Sequence, residues 1–288
     1  MQEATVTFET KCYENDWEYI LKGNYLDKMI KRCGYPFAKK QLIINNVSNK
    51  ELVIKYANKK KQKGIIDEYY FVDDTESKVL DFFDISKESL GKGFVYSISE
   101  LTGIYHCTTD YLLHFSSDAF PCSSVKKSNW IRDFIYENAK NPDYITSTLL
   151  WNGLKYEAKQ ESYSETENFF ICQGFSDQCY LIKVSEFKKL IYNEKNSASE
   201  RYPIYGGELF EKRVDAFLRN TNKYRLVSKH FSYRHANFPK SNFKRFISLC
   251  LAHSKMFTFC LFGRRPNHLD IMKQKLTHLK IIKKDSIK

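Results

Sequence analysis

The residues best suited to chemistry fall at three points of the chain. Asp118 closes the run Asp110-Tyr-Leu-Leu-His-Phe-Ser-Ser-Asp118, where four strand-favouring apolar residues stop abruptly at small polar ones. A carboxylate at the end of a strand is the oxygen ligand that Mg²⁺ and Mn²⁺ prefer, and the same residue type also serves turns and helix caps. The second point is Pro203-Ile-Tyr205-Gly-Gly-Glu208-Leu-Phe-Glu211-Lys-Arg213, which sets paired glycines before acids. Glycines let the backbone turn sharply towards a ligand, and a Glu at the positive end of the next helix can act as general base towards a hydroxyl. A plain helix start with acidic first-turn residues is the competing reading. The third is Lys229-His230-Phe-Ser-Tyr-Arg-His235-Ala-Asn237, where the five-residue spacing keeps the two histidines off a common helix face and disfavours a two-histidine zinc site. One of them can still join a metal already held by Asp118, unless the segment is a solvated basic loop.

These groups need a frame. Thr5-Val-Thr-Phe8, Gln41-Leu-Ile-Ile44 and Glu68-Tyr-Tyr-Phe-Val72 read as parallel strands buried on both faces. Between the first two, Trp17, Ile20, Leu21, Tyr25 and Met29 predict one helix from about Asp16 to Lys31, ended at Gly34-Tyr35-Pro36. Ser48 with Glu51 predicts a capping box for a helix to about Lys60, and Ser97 or Ser99 a cap for a helix to Cys107. Further on the pattern predicts a helix over 126–140, strands over Tyr144–Trp151 and Cys179–Val184, and a helix from Ser185 to about Tyr192. Asn193–Glu200 has no periodicity and reads as a mobile surface loop. Alternation of strand and helix implies an open α/β sheet, whose ligands bind beyond the carboxyl ends of the strands. Ser116-Ser117-Asp118 lies at that edge, as do Thr10, Asn45-Asn46 and Asp73-Asp74.

In this order, the Asp110–Asp118 strand, the stretch Gly174-Phe-Ser-Asp-Gln-Cys-Tyr-Leu-Ile182, the Tyr-Gly-Gly-Glu208 turn and the late Arg234-His235 resemble a GT-A-fold glycosyltransferase of the family-2-like type that builds bacterial surface glycans, over about residues 4–237. The resemblance implies a Rossmann-like open mixed sheet flanked by helices. It also implies transfer of a sugar from a nucleotide sugar, a UDP-sugar in first place, to a saccharide or lipid-linked saccharide hydroxyl. Asp118 with His235 would bind Mn²⁺ or Mg²⁺ on the diphosphate, and Glu208, Glu211 or Asp177 would be the base of an inverting displacement. Thr10, Asn45, Asn46, Asp73, Ser116 and Ser117 would line the donor site, and Trp151 and Tyr205 the acceptor site. The chain departs from the family pattern at Ser116, where the first motif Asp would stand, and at Leu209, where related enzymes often carry a second acid.

Charge is unevenly placed. The chain of 288 residues has 46 Lys and Arg against 34 Asp and Glu, but from Arg219 onward there are 17 basic and 2 acidic residues, leaving 29 against 32 before it. The first 218 residues are therefore mildly acidic and the tail strongly basic, and the simplest division is a domain of residues 1–237 followed by a basic extension, 238–288. In the extension Leu269, Met272, Leu276 and Leu279 form one stripe of a Lys-rich amphipathic helix, suited to the anionic face of a membrane or to packing on the body. Five acids in the first twenty residues argue against a secretory leader, and no run of about 18 apolar residues suggests a span. The expectation is a cytoplasmic protein at the inner membrane face. The eight cysteines form no Cys-x-x-Cys pair and read as reduced thiols. Nucleic-acid binding is the rival class, from the aromatic and basic residues of Phe238–Phe246, but the acidic body speaks against it. A metal-dependent nucleotidyltransferase would want a glycine-rich loop after the first strand, where Glu9-Thr-Lys-Cys12 has none.

Overall fold

The computed structural model describes residues 3–122, 129–202, 207–235 and the single positions 238, 243 and 247. Ten strands form one mixed sheet: β1 (Val6–Cys12), β2 (Lys39–Ile44), β3 (Glu68–Phe71), β4 (Tyr111–Phe115), β5 (Ala119–Pro121), β6 (Tyr144–Trp151), β7 (Ser162–Glu165), β8 (Phe169–Cys172), β9 (Cys179–Lys183) and β10 (Tyr224–His235). Their spatial order is β3-β2-β1-β4-β9-β6-β10-β8-β7, with β5 on β10. Strands β1 to β4 pair in parallel, β9 runs antiparallel between β4 and β6, and β10 lies parallel to β6 and antiparallel to β8.

Alternation along the strands feeds two cores. Phe8, Leu42, Ile44, Leu113 and Phe115 pack beneath α1 (Trp17–Leu21), α2 (Tyr25–Cys33), α3 (Lys50–Gln62) and the later Trp130–Lys140 helix. Ile43, Leu112, Tyr180 and Ile182 face the other way, against α4 (Glu76–Phe83), α5 (Lys87–Leu90) and α6 (Phe94–His106). The remaining helices are α7 (Trp130–Lys140), α8 (Lys155–Gln160), α9 (Val184–Phe187) and α10 (Phe210–Asn220), the last two on the α6 side. Each fully buried large side chain contributes about 1.5–3 kcal/mol, so Phe115→Ala, at the centre of one core, would cost about 3–5 kcal/mol.

The parallel opening of the sheet, the β4 strand and the β6 strand stand where the apolar runs put them. Five local expectations do not hold, among them the helix from Ser185 to about Tyr192, which is the single turn α9 ending at Phe187. The Asp16–Lys31 helix is two, α1 and α2, broken over residues 22–24, and Gly34 in the left-handed region (φ 60°) ends the second. Asn49, whose side chain accepts from the Leu52 N–H at 2.9 Å, caps α3, because Ser48 is engaged by Glu14. Ser97 and Ser99 lie inside α6, with the Ser97 hydroxyl accepting from Phe210 N–H at 2.9 Å. Asn193–Glu200 is anchored: Ser197–Arg201 form a 3₁₀ turn, and the buried Ser199 donates to Asp215 at 2.7 Å. The basic helix expected after residue 238 lies outside the described residues. Among those described, no helix is long and apolar enough to cross a membrane.

Candidate active site

Parallel β1 and β4 end side by side, and the turns after them supply the first groups. After β1 the chain closes a tight turn in which Asp16 accepts from Tyr13 N–H at 2.7 Å. Its other oxygen accepts from Ser117, so the two strand ends are fastened together. After β4, Ser116 donates to Asp118 at 3.1 Å, and the chain turns back into β5. Pairing of β5 with β10 sets His235 opposite Ala119 and brings His235 Nε2 to 3.2 Å from Asp118 Oδ2. Residues 117 positions apart in sequence thus meet, and both side chains remain about one-fifth exposed. The loop before β9 adds Asp177, fixed by the backbone bond from Ser116 N–H to the Gln178 carbonyl at 2.9 Å. The first turn of α10 adds Glu211, which accepts from the Asp177 backbone N–H.

Electrostatics divides these groups. Burial alone would raise the Asp118 carboxyl, but the His235 ring and Ser116 hydroxyl outweigh it and hold the group below its ordinary value. Burial would likewise lower His235, and Asp118, helped by Asp177, raises it instead. Glu211 behaves in the opposite sense: burial and then Asp177 push its carboxyl up to about 8, against the pull of Lys11 and Arg201. Asp16 rises to about 7, chiefly by burial. The site therefore holds one ionised carboxylate beside an imidazole, and a second carboxyl that gains and loses its proton near neutrality.

Beneath the rim lies a closed polar network. Glu9 on β1 touches His114 on β4 at 2.9 Å, and Glu100 on α6 accepts from Tyr180 at 2.6 Å and pairs with Lys11. Burial pushes Glu9 up to about 8 and lowers His114 well below its ordinary range. Gly103 lets α6 pass over Glu9, since a Cβ there would collide with the carboxylate. Glu9, Glu100 and His114 offer ligand atoms within 4.8 Å of one another, yet Lys11, Gln41 and Tyr180 already occupy their oxygens. Asp118 with His235 is the better fit to a metal: one carboxylate and one imidazole, partly open, a donor set that suits Mn²⁺ more than the all-oxygen preference of Mg²⁺.

Several sequence-derived site residues stand elsewhere than expected. Thr10 is fully buried and spends its hydroxyl on the Phe115 carbonyl at 2.8 Å, so it lines no pocket. Asn45 donates to the Val95 carbonyl at 2.7 Å, and Asn46 turns the chain at φ 50°. Asp73 is exposed and paired with Lys50 at 3.0 Å, after β3, three strands or about 14 Å from β4. Ser116 and Ser117 serve the two aspartates rather than open space. Glu208 pairs with Lys212 at 2.9 Å, outside the helix that carries Glu211. Trp151, at the end of β6, packs on the core with its indole N–H unpartnered among the described residues. Tyr205 lies outside the described residues. Sequence reading overlooked Lys11, Asp16 and the Glu9–His114–Glu100 network. Glu9 and Lys11 within a strand anchored by Val6 and Phe8, and His114 inside another, were the available signal, because a strand covered on both faces must pair its charges.

No family model matches the chain, and no curated protein matches it in sequence. Solved structures do match. The crystal structure of GalNAc-T7 with UDP, GalNAc and Mn²⁺ superposes with a TM-score of 0.52 at 11% identity, covering 96% of this chain and 55% of that one. The chain thus spans just over half the length of GalNAc-T7. S. aureus TarS matches with a TM-score of 0.44 at 12% identity over 85% of this chain and 38% of that one. The mannosyltransferase PcManGT from Pyrobaculum calidifontis, in complex with GDP-Man and Mn²⁺, matches with 0.43 at 12% over 88% and 62%. The first of these likenesses shows the fold, a GT-A fold.

Proposed function

We propose that the chain is a glycosyltransferase that moves a sugar from a nucleotide sugar, a UDP-sugar in first place, to a saccharide hydroxyl with inversion at the anomeric carbon. The observation that carries the reading is the meeting of Asp118 and His235 at the carboxyl edge of a GT-A sheet, next to Asp177 and Glu211. GalNAc-T7, of like fold, was crystallised with UDP and Mn²⁺, which supports the donor class.

Glu211 is the base in this reading, in preference to Glu208. Lys212 holds the Glu208 carboxylate as a partly exposed ion pair, whereas Glu211 is sheltered and has a proton affinity matched to neutral pH. Glu211 takes the proton of the acceptor hydroxyl, whose oxygen attacks the anomeric carbon. The bond from that carbon to the diphosphate oxygen breaks, and the diphosphate leaves with the electron pair. Asp177, through its backbone N–H, orients the Glu211 carboxyl, and its negative charge keeps the proton affinity of Glu211 high. Asp118 and His235 would hold Mn²⁺, whose charge would offset that building on the diphosphate, worth several kcal/mol. Ser116, in the place of a motif Asp, aims Asp118 by its hydrogen bond.

The 17 basic residues from Arg219 onward support contact with an anionic membrane, hence a lipid-linked saccharide acceptor of surface-polysaccharide or lipopolysaccharide assembly at the inner face. Sedimentation with anionic vesicles at low salt tests that part. The chemistry is tested by screening UDP- and GDP-sugars for nucleotide release with Mn²⁺ or with a chelator. Release that disappears in Asp118→Ala and Glu211→Gln is expected; full rates in both variants would overturn the assignment.

A further inference from the structure

Gly174, three residues before Asp177, has φ 98°, a conformation open to glycine and strained for other residues. Its missing side chain is filled from outside: a Cβ there would stand 2.5 Å from a terminal nitrogen of Arg201 and 3.5 Å from one of Arg225. Two guanidinium groups therefore converge over one backbone position. Like charges brought together this way repel unless an anion sits against them.

The nearby carboxylates do not fully serve. Asp215, completely buried, accepts from Arg219 Nε at 3.0 Å and stands 3.6 Å from Arg201, beyond hydrogen-bond reach. Glu161 is 3.5 Å from Arg225 and is itself well exposed. Three arginines thus share Asp215 and Glu161 as ion-pair partners, with Glu211 acting on Arg201 from farther off. Arg225 spends one N–H on the Gln173 carbonyl at 3.2 Å, and its buried Nε has no partner among the described residues. Arg201 lies over the Tyr202 ring at 5.4 Å, and the Tyr202 hydroxyl both accepts from Phe175 N–H and donates to its carbonyl, each at 2.8 Å. The arginines are thus fixed to the loop that carries Asp177, and Arg201 is close enough to act on the Glu211 carboxyl.

We propose that Arg201 and Arg225 form a subsite for an oxyanion, a phosphate or carboxylate, carried by the acceptor. Planar guanidinium groups suit the two-pronged binding of such a group, and Arg225 Nε–H is without a partner among the described residues. The word acceptor rests on the transferase reading; the oxyanion site does not.

The test is calorimetric titration of the full chain with inorganic phosphate, alone and with saturating UDP. Phosphate is expected to bind, to lose at least tenfold in affinity in Arg201→Gln and in Arg225→Gln, and to bind undiminished beside UDP. Arg201→Lys and Arg225→Lys, which keep the charge and the packing, serve should either glutamine variant fail to fold, and are expected to lose affinity as well because the fork is gone. Unchanged phosphate affinity in the folded variants would overturn the subsite. Competition by UDP would overturn it as an acceptor site and give the arginines to the donor diphosphate. Phosphate binding in a chain that binds neither UDP nor GDP would sink the transferase reading and leave the oxyanion site standing.

Discussion

Two clusters of ionisable groups lie one above the other in this fold, about the carboxyl ends of β1 and β4. The lower one, Glu9, His114, Glu100, Lys11 and Tyr180, is closed: its carboxylates and ammonium are paired, and burial keeps Glu9 and His114 uncharged. The upper one, Asp118, His235, Asp177 and Glu211, is partly open and holds groups in contrasting states, an ion pair beside a carboxyl poised near neutrality. Compensation makes the lower cluster a support; the upper one is less fully compensated, which suits it to the role proposed for it. Lys11 joins them, since it pairs with Glu100 and is acted on by Asp177 and Asp118 above.

The comparison can be broken at several strengths. Glu211→Gln should lower the transfer rate by about 10²–10⁴-fold without lowering the melting temperature, as removal of a general base does. Asp118→Ala should cost about 10²–10³-fold and abolish any response to Mn²⁺; an unchanged response in steady-state rates would move the metal elsewhere. Glu100→Ala acts on the support, leaving Lys11 buried without its partner, so chemical denaturation should show a loss of about 3–5 kcal/mol. The pH profile separates the clusters more finely. With Glu211 at about 8, the rate should rise as pH passes from 7 to 9, and the rise should be absent in Glu211→Gln. Glu9, raised from 4.5 to about 8, gives a stability that is complete below pH 4.5 and declines until pH 8. Glu9→Gln, keeping an oxygen for Gln41, should flatten that decline and melt higher than the parent at pH 8. The smallest effect belongs to Glu208→Gln, which removes an ion pair worth about 0–1 kcal/mol and should leave the rate within a few-fold.

Much of the frame was legible because its strands are apolar on both faces, as in Leu42-Ile-Ile44 and Leu112-Leu113. Strand β10 was not, because Lys229, His230 and Arg234 interrupt its apolar residues while Phe231 and Tyr233 are buried, and a register shift between Val227 and Ser232 blurs the alternation. The choice between Glu208 and Glu211 was open in the sequence for a related reason. Which acid faces the site depends on where α10 begins, and a helix turns about 100° per residue, so a shift of start by two positions exchanges the faces. The pairing of Asp118 with His235 was named from order along the chain, yet its geometry comes from β5 folding back on β10, a three-residue strand with no sequence signal of its own.

Strand β10 also has a bearing on how the molecule comes to be made. It slots between β6 and β8 and reaches β5, so the contact of His235 with Asp118 joins residues 117 positions apart. Contacts of such long separation form late and slowly. During synthesis the support beneath the site can be assembled once the residues up to Tyr180 have emerged, but the rim above it stays incomplete until β10 arrives. A growing chain released before that point would lack His235 and with it the contact that closes the rim over Asp118.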